Sequence, residues 1–144
     1  AFYGFNSEGA QACHFLRIRD WKDEDEAVAK RLGNLTAGGG SRVGAHIRHA
    51  TRLLESRPES TRVLFILSDG RPEDRGEYRG QYGIADTAMA VREAKAQGLF
   101  IHCVSLSVEE PGYLGTIFGP HGFTVVPNAE SLPSVLPSVF RSIS

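Results

Sequence analysis

The chain has 144 residues, a common length for one domain and too short for two domains with separate cores. Its hydrophobic fraction of 41% and charged fraction of 23% are typical of a globular fold rather than a disordered chain. A formal charge of -1 does not favour nucleic acid or an anionic membrane as a partner. No stretch approaches the roughly 18 uncharged apolar residues of a membrane span.

Two short apolar runs open the chain and indicate a β-hairpin. They cover residues 1–5 and 12–18, and the segment between them holds polar residues and a glycine that favour a turn. Apolar positions at helical spacing then predict a helix over residues 23–35, which ends before three glycines. A second helix is predicted from residue 43 to residue 54.

The rest of the chain alternates strands with helices. Residues 63–67 form a continuous apolar run, which is typical of a parallel strand covered on both faces. The following elements are predicted after it: a helix over 84–97, a strand over 99–106, a helical turn after Pro111, a strand over 123–126 and a helix over 132–143. This alternation predicts an α/β fold, with a mostly parallel open sheet and helices on both faces. The opening hairpin is expected to supply one antiparallel edge strand.

Two loops carry residues that could bind a ligand, because open parallel sheets bind ligands beyond the carboxyl ends of their strands. One loop is Gly38-Gly39-Gly40-Ser41-Arg42-Val43-Gly44, and the other is Ser68-Asp69-Gly70-Arg71-Pro72. The carboxylate of Asp69 could bind a hard cation, and the hydroxyl of Ser41 could add a neutral oxygen ligand. Each residue also fits a structural role, a turn for Asp69 and a helix N-cap for Ser41.

A charged stretch over residues 71–82 follows the second loop. Three acids in or near it are interpreted as parts of a solvated face: Glu73, Asp74 and Asp86. Tyr78 and Tyr82 are candidates for contacts with a partner protein, because tyrosine is enriched at the centres of interfaces. The stretch is therefore predicted to be a long polar loop between a strand and a helix.

Histidines and cysteines give no metal-binding pattern. His46 and His49 lie three residues apart, as two ligands of one metal can, but no third ligand is close in sequence, so surface positions are predicted. Cys13 and Cys103 lie in separate apolar runs and are predicted to be small core residues. Because two cysteines form no disulfide framework, their scarcity favours a reducing compartment, the cytoplasm.

The two glycine-containing loops carry a resemblance to a known family. Leu67-Ser68-Asp69-Gly70-Arg71-Pro72, preceded by Gly39-Gly40-Ser41-Arg42-Val43-Gly44, resembles the third and second metal-site motifs of a von Willebrand factor type A (vWA) domain. The resemblance implies a vWA/Rossmann-like fold and a metal-ion-dependent adhesion site. In that family an Asp-x-Ser-x-Ser loop after the first strand, a Thr and a later Asp bind the cation, commonly Mg²⁺. Ser41 takes the place of the Thr, and Asp69 that of the later Asp.

The first motif of the family, Asp-x-Ser-x-Ser, does not occur in this sequence. The family's first strand is therefore expected to precede Ala1, and residues 1–144 are expected to be a single vWA-like domain that is incomplete at its N-terminus. The Mg²⁺ site within this chain is accordingly expected to be incomplete. Loss of a central strand would leave an unpaired edge and exposed apolar surface.

Within the vWA family, the charged stretch resembles the C-terminal domain of the NorD and CbbO accessory proteins. The segments that carry this resemblance are residues 69–74, 78–87, 117–119 and 132–137. For that group it implies a non-enzymatic adaptor that works with a MoxR-type AAA+ ATPase and recognises a client enzyme. The client is nitric oxide reductase for NorD and rubisco for CbbO, and both stay open for this chain.

Two alternatives to the metal-dependent adaptor remain open. The first is a structural docking domain whose metal site is not functional. The second is a receiver-like domain phosphorylated at Asp69, which the sequence disfavours because a receiver needs a lysine late in the chain. The lysines here are Lys22, Lys30 and Lys95.

Overall fold

The structure is a computed structural model, and it describes residues 1–106 and 112–143. The elements follow one another in this order: β1 (Phe2–Ser7), β2 (Cys13–Arg19), α1 (Asp25–Gly33), α2 (Val43–Glu55), β3 (Arg62–Ser68), α3 (Gly80–Ala96), β4 (Leu99–Ser105), α4 (Gly112–Phe118), β5 (Phe123–Val125), a 3₁₀ turn (Ala129–Ser131) and α5 (Leu132–Ile143). Every strand and helix predicted from the sequence is therefore present, although Pro111 itself lies outside the described residues.

The largest difference in element ends is at α3, which begins at Gly80 rather than at residue 84. Glycine is a poor helix former, so the sequence favours a loop through Gly80 and Gly83. Tertiary packing outweighs this preference, because the backbone at Gly83 lies directly against the Pro72 carbonyl group. A Cβ atom at Gly83 would stand 2.0 Å from the Pro72 carbonyl oxygen, so only glycine permits the approach.

A parallel three-stranded sheet forms the centre of the molecule. Its strand order is β3-β4-β5, and β3 pairs with β4 in register from Arg62 opposite Leu99 to Ser68 opposite Ser105. Helices α2, α3 and α4 pack over it around a common apolar core that includes Ile47, Val91 and Ile101. The predicted α/β class with a parallel sheet is confirmed.

The opening hairpin forms a sheet of its own rather than an edge of the parallel sheet. Strands β1 and β2 pair only with each other, in antiparallel register. An isolated bridge between Ser7 and Gly40 ties the end of β1 to the loop before α2. Within residues 1–106 and 112–143, the outer strands of both sheets, β1, β2, β3 and β5, each keep one edge without a strand partner. The predicted antiparallel edge strand is therefore present but is not hydrogen-bonded to the parallel strands.

Strand β3 is less buried than its sequence suggests. Only Ile66 is buried in β3, whereas every residue of β4 except Phe100 is buried. Residues 63–67 are therefore less completely covered than predicted in the described part of the chain, because β3 lies at a sheet edge and β4 lies at the centre. None of the described helices is long and apolar enough to cross a membrane.

Candidate functional site

Asp69 follows the last residue of β3 directly and is exposed at the carboxyl end of the parallel sheet. The strand end is held in place because the Leu106 N–H donates to the Ser68 carbonyl oxygen at 2.8 Å. The Ser68 hydroxyl then donates to the Gly70 carbonyl oxygen at 3.0 Å, closing a tight turn around Asp69. Asp69 therefore occupies the edge position that the sequence predicts, and its role as a metal ligand stays a prediction.

Ser41 lies in the loop that enters α2, at a half-buried position. Its N–H donates to the Glu73 carbonyl oxygen at 2.6 Å, and the neighbouring Gly40 exchanges two backbone hydrogen bonds with Ser7 at 2.7 and 2.9 Å. The N-cap of α2 is Arg42, which makes no side-chain capping bond. Ser41 is thus not the N-cap that the structural alternative predicts, and its loop is joined to the segment that follows Asp69.

Two glycines of this loop permit close approaches between elements. A Cβ atom at Gly40 would stand 2.6 Å from a carboxylate oxygen of Asp74 and 2.7 Å from the Glu73 carbonyl oxygen. A Cβ atom at Gly44 would stand 2.1 Å from a carboxylate oxygen of Asp86 on α3. Larger side chains would push the loop away from residues 73–74 and α2 away from α3, which explains why this motif needs glycine at both positions.

Asp74 is buried, so its interpretation as part of a solvated face is wrong. One of its carboxylate oxygens accepts hydrogen bonds from the Arg42 side chain at 2.8 Å and from the Gly9 N–H at 2.8 Å. The other accepts from the N–H of the next residue, Arg75, at 2.7 Å. The mixed charges of this stretch did not reveal the burial, because the carboxylate is bound by residues from two loops that are distant in sequence.

The hydrogen bonds around Asp74 also decide its charge state. Burial raises the pKa of its carboxyl group, but hydrogen bonds from the Arg75 N–H, the Ser7 hydroxyl, Arg42 and the Gly9 N–H outweigh burial and lower the pKa from 3.8 to about 2. Asp74 is therefore a fixed negative charge at neutral pH, paired with a guanidinium group.

Tyr78 is also buried, with 3% of its surface exposed. Its hydroxyl donates to Asp86 at 2.6 Å and accepts from the Gly44 N–H at 3.3 Å, while the Arg42 guanidinium lies over its ring at 4.7 Å. Burial, followed by the hydrogen bond to Asp86, raises the pKa of Tyr78 to about 12. Tyr78 is therefore not a surface residue that a partner could contact. Tyr82 is 58% exposed, and its contact with a partner protein stays a prediction.

The contacts of these side chains form one polar cluster, which we call the Asp74 network. It comprises Ser7, Arg42, Asp74, Tyr78 and Asp86. It joins β1, the start of α2, the charged loop and α3, so it surrounds the loop that holds Ser41. Sequence reasoning missed Ser7 and Arg42, although both stand beside motifs: Ser7 ends an apolar strand and Arg42 follows Ser41.

His46 is buried, contrary to the predicted surface position. Its two ring nitrogens lie 2.8 Å from the Arg42 carbonyl oxygen and 2.9 Å from the His14 carbonyl oxygen. The hairpin covers this side of α2, and the Phe5 ring lies 4.9 Å from the His46 ring, which explains the burial. His49 is exposed, as predicted.

The two cysteines differ from each other. Cys103 lies in the core, and burial raises the pKa of its thiol to about 12. Cys13 is exposed, which contradicts the predicted core position, because it begins β2 directly after the hairpin turn. No group of three or more His, Cys, Asp or Glu side chains that could hold a metal occurs among the described residues.

The donor atoms available for a cation are the Asp69 carboxylate and the Ser41 hydroxyl. Among the described residues, neither group takes part in a hydrogen bond or an ion pair. Both are hard oxygen donors of the kind that Mg²⁺ accepts, and Mg²⁺ commonly keeps several waters. The residues fit such an ion in chemistry, and they supply two of its ligands.

Comparison with known proteins identifies the family. The family model of the von Willebrand factor type A domain matches residues 2–137. The uncharacterised protein PA0525 of Pseudomonas aeruginosa is 39% identical over 145 residues, which cover 99% of this chain and 24% of that protein. Protein NorD of Brucella melitensis is 34% identical over 134 residues, covering 90% of this chain and 21% of that protein.

Protein NorD of Stutzerimonas stutzeri gives a similar result, at 35% identity over 127 residues, with 88% of this chain and 21% of that protein covered. The chain thus spans about a quarter or less of the length of these relatives. No solved structure matches it. With a family match over almost the whole chain and relatives named NorD over most of it, the chain belongs to the von Willebrand factor type A domain family.

Proposed function

We propose that this vWA domain is a non-enzymatic protein-interaction module that binds a partner through a divalent cation held by Ser41 and Asp69. The proposal depends most on one contact, the hydrogen bond from the Ser41 N–H to the Glu73 carbonyl oxygen. This bond joins the Ser41 loop to the loop that begins at Asp69. Two oxygen donors that the sequence separates by 28 positions therefore lie on adjoining loops at one edge of the sheet.

Mg²⁺ is the proposed ion, because one carboxylate and one hydroxyl are hard oxygen ligands. When bound, the ion would offer a coordination position to a carboxylate of the partner. The remaining positions are left for water and for other parts of the full-length protein. Asp69 would contribute the negative charge, and Ser41 a neutral ligand whose position is set by its backbone bonds.

The proposed partners are a MoxR-type AAA+ ATPase and a client enzyme complex, with the vWA domain as the adaptor between them. Relatives named NorD support an accessory role in company with other proteins. Nitric oxide reductase and rubisco are the two candidate clients, following the NorD and CbbO resemblances. We propose the cytoplasm as the place of action.

The test uses the full-length protein and measures its binding to the ATPase and to each client complex, in Mg²⁺ and in EDTA. Asp69→Ala is expected to abolish the part of binding that depends on Mg²⁺. Glu77→Gln is the matched control, because it removes one negative charge from an exposed position of the same loop without removing a proposed ligand. If Asp69→Ala binds as the parent does and keeps its Mg²⁺ dependence, the metal-dependent function is wrong.

A docking domain that works without a metal is the second candidate function. It is favoured by the small number of acidic ligands, since the described residues contain no cluster of three metal-binding side chains. It predicts equal binding in Mg²⁺ and in EDTA.

The receiver-like alternative is disfavoured further by the position of Lys95. Lys95 precedes the start of β4, whereas Asp69 follows the end of the parallel strand β3, so the two residues belong to opposite ends of the sheet. The Lys95 amino group also donates to the Phe118 carbonyl oxygen at 3.1 Å.

A further inference from the structure

We infer that Asp74 is the positioning residue of the proposed cation site, and that it acts by holding Ser41 against the loop that begins at Asp69. The inference rests on the proposed function and adds to it a residue that contacts no cation. Asp74 follows Asp69 by five residues in the same loop, and its carboxylate points away from solvent towards the Ser41 loop.

The Asp74 carboxylate is buried together with its ion-pair partner. Its side chain is 0% exposed and that of its partner Arg42 is 16% exposed, so the ion pair is shielded from water. Arg42 immediately follows Ser41 in the chain. The guanidinium is held on its other side by the Tyr78 ring and by a hydrogen bond to the Arg75 carbonyl oxygen at 3.2 Å. A buried pair with this many partners has one geometry, because moving either group would leave a charge unpaired.

The backbone on both sides of Ser41 is held by Ser7. Before it, Gly40 pairs with Ser7, and after it, the Arg42 N–H donates to the Ser7 hydroxyl at 3.0 Å. The same Ser7 hydroxyl also helps to lower the pKa of the Asp74 carboxyl group. Ser41 is therefore flanked by two residues bonded to Ser7 on β1, and one of them, Arg42, is itself bonded to Asp74.

Asp74 also holds the hairpin in place. The Gly9 N–H in the β1–β2 turn donates to the carboxylate oxygen that accepts from Arg42. One carboxylate thus fixes the hairpin turn, the Ser41 loop and the loop after β3. A change at Asp74 should therefore alter the position of the Ser41 hydroxyl relative to Asp69 without removing a ligand.

The test measures Mg²⁺ affinity by calorimetry in the full-length protein. Asp74→Asn keeps the size of the side chain but replaces one acceptor oxygen with an amide. The dissociation constant is expected to rise about tenfold, as is usual when a group that orients a ligand is lost. Asp23→Asn is the matched control, because it disrupts another partly buried carboxylate–arginine pair, with Arg31, away from Ser41. The control is expected to leave the affinity unchanged.

A double-mutant comparison separates positioning from general loss of stability. If Asp74 acts through Ser41, Asp74→Asn should weaken Mg²⁺ binding in the parent protein and have little further effect in a Ser41→Ala background. Additive effects in the double variant would overturn the inference. So would an unchanged affinity in Asp74→Asn when Asp69→Ala and Ser41→Ala both weaken binding.

Failure of the proposed function gives a different result. If Asp69→Ala and Ser41→Ala both leave Mg²⁺ affinity unchanged, the proposed cation site is wrong, and the positioning role of Asp74 is wrong as well. If Asp74→Asn does not fold by circular dichroism, Arg42→Lys takes its place. Arg42→Lys keeps the positive charge but loses the Nε hydrogen bond to Asp74 and the stacking on Tyr78, and the same tenfold loss and the same non-additivity with Ser41→Ala are expected.

Discussion

The charged loop over residues 71–79 and helix α1 are both rich in acidic and basic residues, yet they differ in burial. The loop buries Asp74 and Tyr78, whereas α1 has no buried residue. Both segments carry opposite charges close together in sequence. The difference arises because the loop meets partners from β1 and α2, while α1 makes its contacts mainly with the edge strand β2. Charge composition therefore does not predict solvation where distant loops converge.

The largest expected effect comes from removing the buried carboxylate of the loop. Asp74→Ala leaves Arg42 without its partner in a shielded position, and loss of one member of a buried pair typically costs about 3 kcal/mol or more of unfolding free energy. Hydrogen exchange of the β4 amides in the full-length protein would measure the loss. A change no larger than that caused by an exposed charge would show that the loop is as solvated as α1.

The loss of stability in acid should also depend on the buried carboxylate of Asp74. The pKa of Asp74 is lowered from 3.8 to about 2 in the folded protein, so its contribution is fully present above the unfolded value and is lost as the pH falls through the folded value. Between about pH 4 and about pH 2, the parent should lose stability more steeply than Asp74→Asn. Acid titrations of the two proteins, followed by circular dichroism, would test this. Parallel curves would contradict the assignment of the shift to Asp74.

A smaller effect is expected from the tyrosine hydroxyl of the loop. Tyr78→Phe leaves the Gly44 N–H without its acceptor and removes the hydroxyl donor from one carboxylate oxygen of Asp86, while Arg48 still donates to the other oxygen, and this should cost about 1–2 kcal/mol. The matched control is Tyr82→Phe, because Tyr82 lies nearby at the start of α3, is 58% exposed and should lose little stability with its hydroxyl. The ultraviolet titration should also lose a tyrosine with a pKa of about 12 in Tyr78→Phe. Equal stability losses in the two variants would contradict the buried role of Tyr78.

The smallest effect is expected on α1. Asp25 pairs with Arg19 at 2.7 Å, but its side chain is 90% exposed, so water and salt weaken the interaction. Asp25→Ala should cause no resolvable change in the exchange of the β4 amides. A loss comparable to that of Asp74→Ala would show that α1 is held as firmly as the loop, and the contrast between the two segments would disappear.

Much of the fold could be predicted from the sequence because its signals are local. The apolar run of β3 and the helical spacing of α2 identify these elements without knowledge of their neighbours. The same holds for Asp69, since a carboxylate directly after a parallel strand must lie at the sheet edge. The start of α3 could not be predicted, because the close packing of Gly83 on Pro72 outweighs the low helix propensity of glycine.

Periodicity and residue order along the chain were enough to identify the α/β class, the vWA motifs and the strand-end position of Asp69. Three further features depend on the folded arrangement: Ser41 is bonded to Glu73, Asp74 and His46 are buried, and the hairpin forms its own sheet. The physical reason is that burial and hydrogen bonding of a polar side chain depend on which distant segments converge on it. The local composition of a segment does not indicate which distant segments pack against it.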